Sequence, residues 1–250
     1  MKTNYLLLYI AAISLLFSAC STSSPEATMM EDLAESWIHS SYESKDAAYA
    51  MVSENMNESG MNIGSRYIGF GFNYNADVVD TDGMVVTNVI DGGPASSVLQ
   101  EGDEFITVNG VNVTQETIDN GRLSFRGKPG EPVNAMIMRD GEMMSISVTR
   151  GIVEPTYDKA QILENISEAE AESWSENSLG YDIMEIVSDP VRRIVYVKTW
   201  DKFLDDVSGL EAESLTLTRF EFDQNGKVLS VGNMSEDALV LRQTGWSITR

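Results

Sequence analysis

Apolar positions along this chain follow two rhythms. From Met29 to Glu58 they recur at helical spacing, with Leu33, Trp37, Ala48, Met51 and Val52 on one stripe. Ser44-Lys45-Asp46 breaks that stripe, and Ser44 or Asp46 can cap a second helical piece. Tyr157–Ser175 carries another helical pattern, with Pro155 just ahead of it. Elsewhere the pattern is shorter. Gly92-Gly93-Pro94-Ala95 ends a strand and starts a short helix, since proline suits a first helical turn. Glu104–Asn109 reads as a strand through Phe105, Ile106 and Val108, with Asn109-Gly110 turning the chain. Val133–Met138 and Met144–Thr149 form a hairpin about Asp140-Gly141. Four more strands follow at Asp182–Ser188, Arg193–Trp200, Ser214–Asp223 and Lys227–Met234, with turns at Asp189-Pro190 and Gln224-Asn225-Gly226. Glu236–Arg242 closes as a short helix.

The run Gly69-Phe70-Gly71-Phe72 adds chemistry to this pattern. Gly69 and Gly71 can take positive φ and leave backbone N–H groups uncovered. Successive uncovered N–H groups make a concave nest for a carboxylate, and Phe70 and Phe72 can wall an apolar pocket beside it. Alone, such a run is usually just a turn. Behind it come Asp91–Ala95, Glu101–Gly110, Arg126-Gly127-Lys128-Pro129-Gly130 and Val148-Thr149-Arg150. This order and spacing resemble a PDZ domain, in the variant carried by bacterial carboxyl-terminal processing proteases, over about Arg66–Pro155. The resemblance implies capture of a peptide or protein C-terminus, with the ligand added as a strand and its carboxylate in the nest. Gly69, Phe70, Gly71, Phe72 and Asn73 would contact it. A helix at about Thr114–Ser124 would close the groove, with Ile118 and Arg122 four apart on one face; core packing is an equal reading of Ile118. The resemblance does not extend to a protease. The small-residue serine motif and the Gly-x-Ser-Gly-Gly loop are both missing, and His39 is the single histidine.

The N-terminus speaks to location. Lys2 precedes the apolar run Tyr5–Phe17, then Ser18-Ala19-Cys20. This is the layout of a secretory signal, and the run is too short to span a bilayer. Cys20, the sole cysteine, sits at the cleavage point, which resembles a bacterial lipoprotein signal with Phe17 where leucine is usual. Ordinary cleavage leaving Cys20 unmodified is the alternative. The lipoprotein resemblance implies removal of residues 1–19 and a lipid anchor on Cys20. Residues 20–28 then form a polar, disordered tether. Ser21 stands where an inner-membrane-retaining aspartate would, so the implied location is the cell envelope, at the outer membrane facing the periplasm. A formal charge of −22, deeper still without Lys2, argues against nucleic acid and against spreading on anionic lipid. No Cys/His cluster suggests a transition metal, no cofactor is implied, and the acids of Asp201–Asp206 do not follow a calcium-loop pattern; they read as a solvated loop or helix edge.

A second resemblance rests on Phe220–Val228, on Ser235–Gly245 with its Gln243-Thr244-Gly245 end, and on the opening helical pair. These are similar to the nuclear-transport-factor-two-like superfamily, especially its SnoaL-like branch. The expected class is α+β: a PDZ-like, antiparallel, partly open β-barrel plus a helix-and-curved-sheet cone. The cone would be split into 29–60 and 155–250 around a PDZ-like insert at 62–153. Three serial pieces are the alternative. A four-stranded sheet with one helix would expose one face, which favours recruiting the N-terminal helices. The superfamily implies an acid near the C-terminal end, here Glu236 or Asp237, as a general base in a pocket lined by Trp37, Tyr42, Trp174, Trp200 and Phe220. A capping acid and core aromatics are the plainer reading, and His39 reads as a helix-surface or packing residue. The superfamily also implies a homodimer through the sheet. Two functions follow: a tethered, non-catalytic peptide-binding adaptor, or an acid/base enzyme or small-molecule binder of the SnoaL or ketosteroid-isomerase type.

Overall fold

Ser24 starts the first helix. Its hydroxyl accepts from the Ala27 N–H at 3.1 Å, and Pro25 occupies the first turn of α1 (Pro25–Glu43). Pro25–Thr28, expected as tether, are therefore helical, because a capped proline start and the burial of Ala27 outweigh their polar composition. Ser44 is extended, ends α1 and caps α2 (Lys45–Asn55) by accepting from Ala47. The computed structural model describes residues 24–75, 84–171 and 173–246. Cys20 and the signal-like segment lie outside them.

The helical stripe ends earlier than expected. Met56 is extended and begins β1 (Met56–Ile63), where Met56 is buried against the helices. The bulge in this strand is tight at Gly60: a Cβ there would lie 2.6 Å from Met56 Cγ and 2.8 Å from the Asn57 carbonyl. The chain then runs through β2 (Tyr67–Gly69), β3 (Phe72–Asn75), β4 (Met84–Val89), β5 (Glu104–Val108), β6 (Val111–Asn112), α3 (Gln115–Asp119), β7 (Pro132–Arg139), β8 (Glu142–Thr149) and β9 (Gly151–Val153). Where a short helix was expected after Pro94, the chain makes a run of turns, with one α-type bond from Leu99 N–H to the Ala95 carbonyl.

Tyr157 opens no helix. It lies in β10 (Thr156–Asp158), and Asp158 caps α4 (Lys159–Glu168) in a reciprocal box with Gln161. The helix stops at Ala169, so Trp174 stands in the turns beyond it. The rest is β11 (Ser178–Asp189), β12 (Ile194–Leu204), β13 (Glu211–Phe222), β14 (Val228–Ser235) and α5 (Asp237–Gln243), close to expectation.

The class is α+β. One six-stranded sheet has the order β10-β1-β14-β13-β12-β11. Two of its strands, β1 and β10, come from the segments flanking the glycine-rich module, where four were expected. β1 lies parallel to β14 and antiparallel to β10, with Met61 opposite Asp158. Gly64 N–H extends this pairing to the Pro155 carbonyl at 2.9 Å. Lys159, nearly buried, donates to the Met56 carbonyl at 3.1 Å and pairs with Glu58 at 2.7 Å, clamping α4 to β1. The helices α1, α2 and α4 cover one face, where Met30, Trp37, Val197, Phe220 and Val228 form the core. Trp37 meets Phe220 edge-on at 6.0 Å.

Residues 64–155 carry their own sheet, β3-β4-β5-β7-β8 with β6 beside β5, and a β2–β9 ribbon. No closed barrel forms among the described residues, and β3 is an edge strand. Its core gathers Phe70, Met84, Phe105, Val108, Val133 and Ile137. Inside it Asp103, fully buried, takes a two-pronged bond from Arg139 at 2.6 Å through Nε and at 2.6 Å through Nη2, and accepts the Gln100 N–H. Arg139 also donates to the Val98 carbonyl, so the pair ties the Pro94–Leu99 turns to β7. Asp103→Ala strands the Arg139 guanidinium and should destabilise this unit by about 3 kcal/mol in urea denaturation. A loss under about 1 kcal/mol would show that water readily replaces the carboxylate.

Candidate functional site

At the start of β3 the chain makes a nest. Gly71 has φ +90°, in the region glycine favours. The Phe70 carbonyl accepts from Ala95 N–H at 2.9 Å and the Gly71 carbonyl from Ile90 N–H at 3.0 Å. Both carbonyls thus turn into the domain. The peptide bonds are trans and planar, so the N–H groups of Gly71 and Phe72, opposite those carbonyls, turn outward together. Two adjacent, outward N–H groups at the end of an edge strand suit a carboxylate. Gly69, expected at positive φ, is not among the positive-φ residues; it is small for a different reason, since a Cβ would lie 2.7 Å from the Tyr67 ring.

Beside the nest lies a cavity of about 520 Å³, lined in part by Phe70, Phe72, Ile118, Leu123, Phe125 and Arg126. Phe125 contacts Phe72 and Phe105 edge-on, each at 4.9 Å, so the floor is a fixed aromatic cluster. Ile118 serves both expected readings, since it lines the cavity and packs on the core. Arg122 does not share its face. Helix α3 ends at Asp119 and Gly121 takes φ +60°, which leaves Arg122 exposed and outside the cavity. Asn73 lines a neighbouring cleft, shared with Tyr157, Gln161 and Glu164, and not the groove floor.

Leu123 and Phe125 were missed as groove residues, because the sequence placed them at or beyond the end of a longer helix. Their loop is held from behind. Arg150, nearly buried, donates to the Ser124 carbonyl at 2.6 Å and pairs with Glu131 at 3.2 Å. Gly127 passes so close that a Cβ would lie 3.0 Å from Arg150 Cζ. Arg126 stacks over the Tyr67 ring at 4.8 Å and places a cation at the groove mouth.

The second concavity lies between the helices and the six-stranded sheet, with a volume of about 510 Å³. Trp37, Tyr42 and Trp174 line it as expected, but Trp200 and Phe220 do not. Alternation along β12 turns Thr199 and Asp201 to the cavity and Trp200 to the other face, where its indole N–H donates to Glu213 at 3.3 Å. Phe220 is fully buried beneath Trp37. The expected acids are also elsewhere. Glu236 precedes α5 and accepts the Leu215 N–H at 3.0 Å, Asp237 bonds the Ser235 hydroxyl, and both are exposed. The carboxylate in the cavity is Asp201, read from sequence as a loop or helix edge but placed in β12. Tyr42 stacks on Tyr181 at 4.0 Å, and Tyr181 shares a hydrogen bond with the exposed His39 at 2.8 Å. Burial first, then the Asp201 charge and Tyr181, push the Tyr42 hydroxyl up to about 12, so it stays neutral.

Residues 66–149 match the family model described as PDZ domain. Among solved structures, the chain is similar to the PDZ domain of a carboxy-terminal protease from Vibrio cholerae in complex with peptide: 23% identity, TM-score 0.31, covering 36% of this chain and 98% of that one. It is similar to an HtrA-type protease, AlgW, with decapeptide, at 20% identity and TM-score 0.30, covering 36% of this chain and 30% of that one. It also overlaps the pinacolase BvnE from Penicillium brevicompactum at 8% identity and TM-score 0.41, covering 90% of this chain and 94% of that one. None of the curated proteins compared with it matches.

The half-buried Asp201 gives a pH test. Burial raises its carboxyl above the usual 3.8, against the opposing bond from the Thr216 hydroxyl. The folded chain therefore holds this proton more tightly than the unfolded chain. That contribution is fully present below 3.8 and is lost as pH rises through the folded value, leaving the ionised group a net cost near neutrality. Asp201→Asn should raise the thermal midpoint at about pH 7 and give no gain at about pH 3. A midpoint lowered at neutral pH would mean that the carboxylate is satisfied in the fold.

Proposed function

We propose that this protein is a non-catalytic adaptor that captures the C-terminus of a peptide or protein in its PDZ groove. The observation that carries this reading is the pair of outward N–H groups at Gly71 and Phe72, set above an apolar cavity and at the end of the edge strand β3. The nest receives the carboxylate, the cavity takes the last side chain, and β3 supplies backbone bonds to the residues before it. The family match over residues 66–149 supports the same role. Anchoring belongs to this proposal too: Cys20 carries lipid, residues before it are removed, and the groove works in the bacterial envelope, at the outer membrane facing the periplasm. The reading of the remaining residues as a split cone of the nuclear-transport-factor-two-like kind is supported by the pairing of β1 with β10 on either side of the PDZ segment. The catalytic alternative loses its expected acids, since Glu236 and Asp237 lie on the surface.

Two experiments test the proposal. A library of peptides with free C-termini should yield an enriched, apolar-ended set with the wild-type chain. Phe72→Asp, which sets a carboxylate against the apolar cavity, should lose that set while keeping the fold by circular dichroism; Gly71→Glu, at a positive φ with its Cβ 3.4 Å from Val153, should lose it as well. Equal capture by the variants, or by C-terminally amidated peptides, would sink the reading. For the anchor, metabolic labelling with a fatty acid should mark the wild type and spare Cys20→Ser.

A further inference from the structure

The cavity over the six-stranded sheet has an unusual composition for a structural void. Among the described residues Asp201 stands in it with one weak hydrogen-bond partner, the Thr216 hydroxyl at 3.4 Å. The adjacent cation, Lys202, is committed to Glu211 at 2.5 Å. No other Lys, Arg or His is ion-paired with Asp201 among the described residues. Taking a carboxylate part-way out of water without a cation is costly, and a packed core has no use for it.

The surroundings say what would offset that cost. Trp37, Tyr42 and Trp174 wall the helical side. Trp174 is held in place by its indole N–H on the Ser41 carbonyl at 3.0 Å, and Tyr42 by its stack on Tyr181. Aromatic faces are electron-rich and attract cations. Thr199, Thr218 and Asn233 add neutral polar groups on the sheet side. A volume of about 510 Å³ accommodates a small organic molecule. The chain's charge of −22 draws cations and repels anions.

We propose that this cavity binds a small organic cation, an amine or quaternary ammonium on an apolar or aromatic body, with Asp201 as its counter-ion and the aromatic wall as its cage. This site is independent of the peptide groove, and its failure would leave the adaptor reading intact.

Isothermal titration of the whole chain with benzyltrimethylammonium, benzyl alcohol and benzoate tests it. The cation should bind saturably, at least about tenfold more tightly than the alcohol, with benzoate weakest. It should also perturb tryptophan fluorescence. Asp201→Asn should weaken the cation about tenfold and leave the alcohol unchanged. Three results would each overturn the proposal: no saturable binding of the cation, equal affinity for cation and alcohol, or an Asn variant that binds the cation as the wild type does. The comparison of the three probes on the wild type decides the matter even if the variant folds poorly.

Discussion

Met61 lies opposite Asp158 in a short antiparallel pairing, and the architecture depends on it. β1 leaves the six-stranded sheet and β10 returns to it at the neighbouring position, so the whole PDZ segment sits between two hydrogen-bonded strands. The same two strands widen the sheet beyond what β11–β14 could offer to the covering helices. Lys159 strengthens the junction by holding the Met56 carbonyl from the first turn of α4. Without the pairing, β1 would be the sheet's edge beside β14 and the helices would cover a narrower sheet.

The two concavities are built on opposite principles. In the groove, backbone is what is offered: planarity turns two N–H groups outward, and side chains only wall the space next to them. In the other cavity, backbone is consumed by the sheet, and what is offered is side chain, one carboxylate among rings and hydroxyls. On the proposed function, the first arrangement reads the end of a chain and tolerates variety along it. On the proposed cation site, the second selects by charge. Tyr157 and Asn165 border both the cavity over the sheet and the cleft next to the groove, so the spaces are separated by one wall of α4 and β10.

The legibility of these features differed for physical reasons. Long strands with tight turns, β11 to β14, were readable because alternation and Asn-Gly punctuation are local signals. The glycine turn and its following motifs were readable because φ and close packing restrict those positions to glycine. What failed was non-local. Met56–Glu58 continues a helical stripe in sequence, yet a partner strand far along the chain, β14, makes it extended. Arg122 obeys helical spacing, but the helix stops before it. Asp201 was hidden in a run of acids whose strand register only the sheet defines, while Glu236 and Asp237 were chosen by likeness to a superfamily and fell on the surface. Phe125 could have been found: an aromatic residue just before Arg126-Gly127 had no assigned core partner.

The junction at Gly64 and Pro155 also bears on how a chain bound as proposed would be presented. A domain carried on one flexible linker swivels and samples every azimuth, and its ligand pays that orientational entropy. Here two crossings leave side by side, bonded to each other across Gly64 N–H and the Pro155 carbonyl. Such a neck can bend, but it resists torsion. The groove therefore keeps one rotational phase relative to α4, and a chain held there as proposed would leave along a heading fixed by the fold.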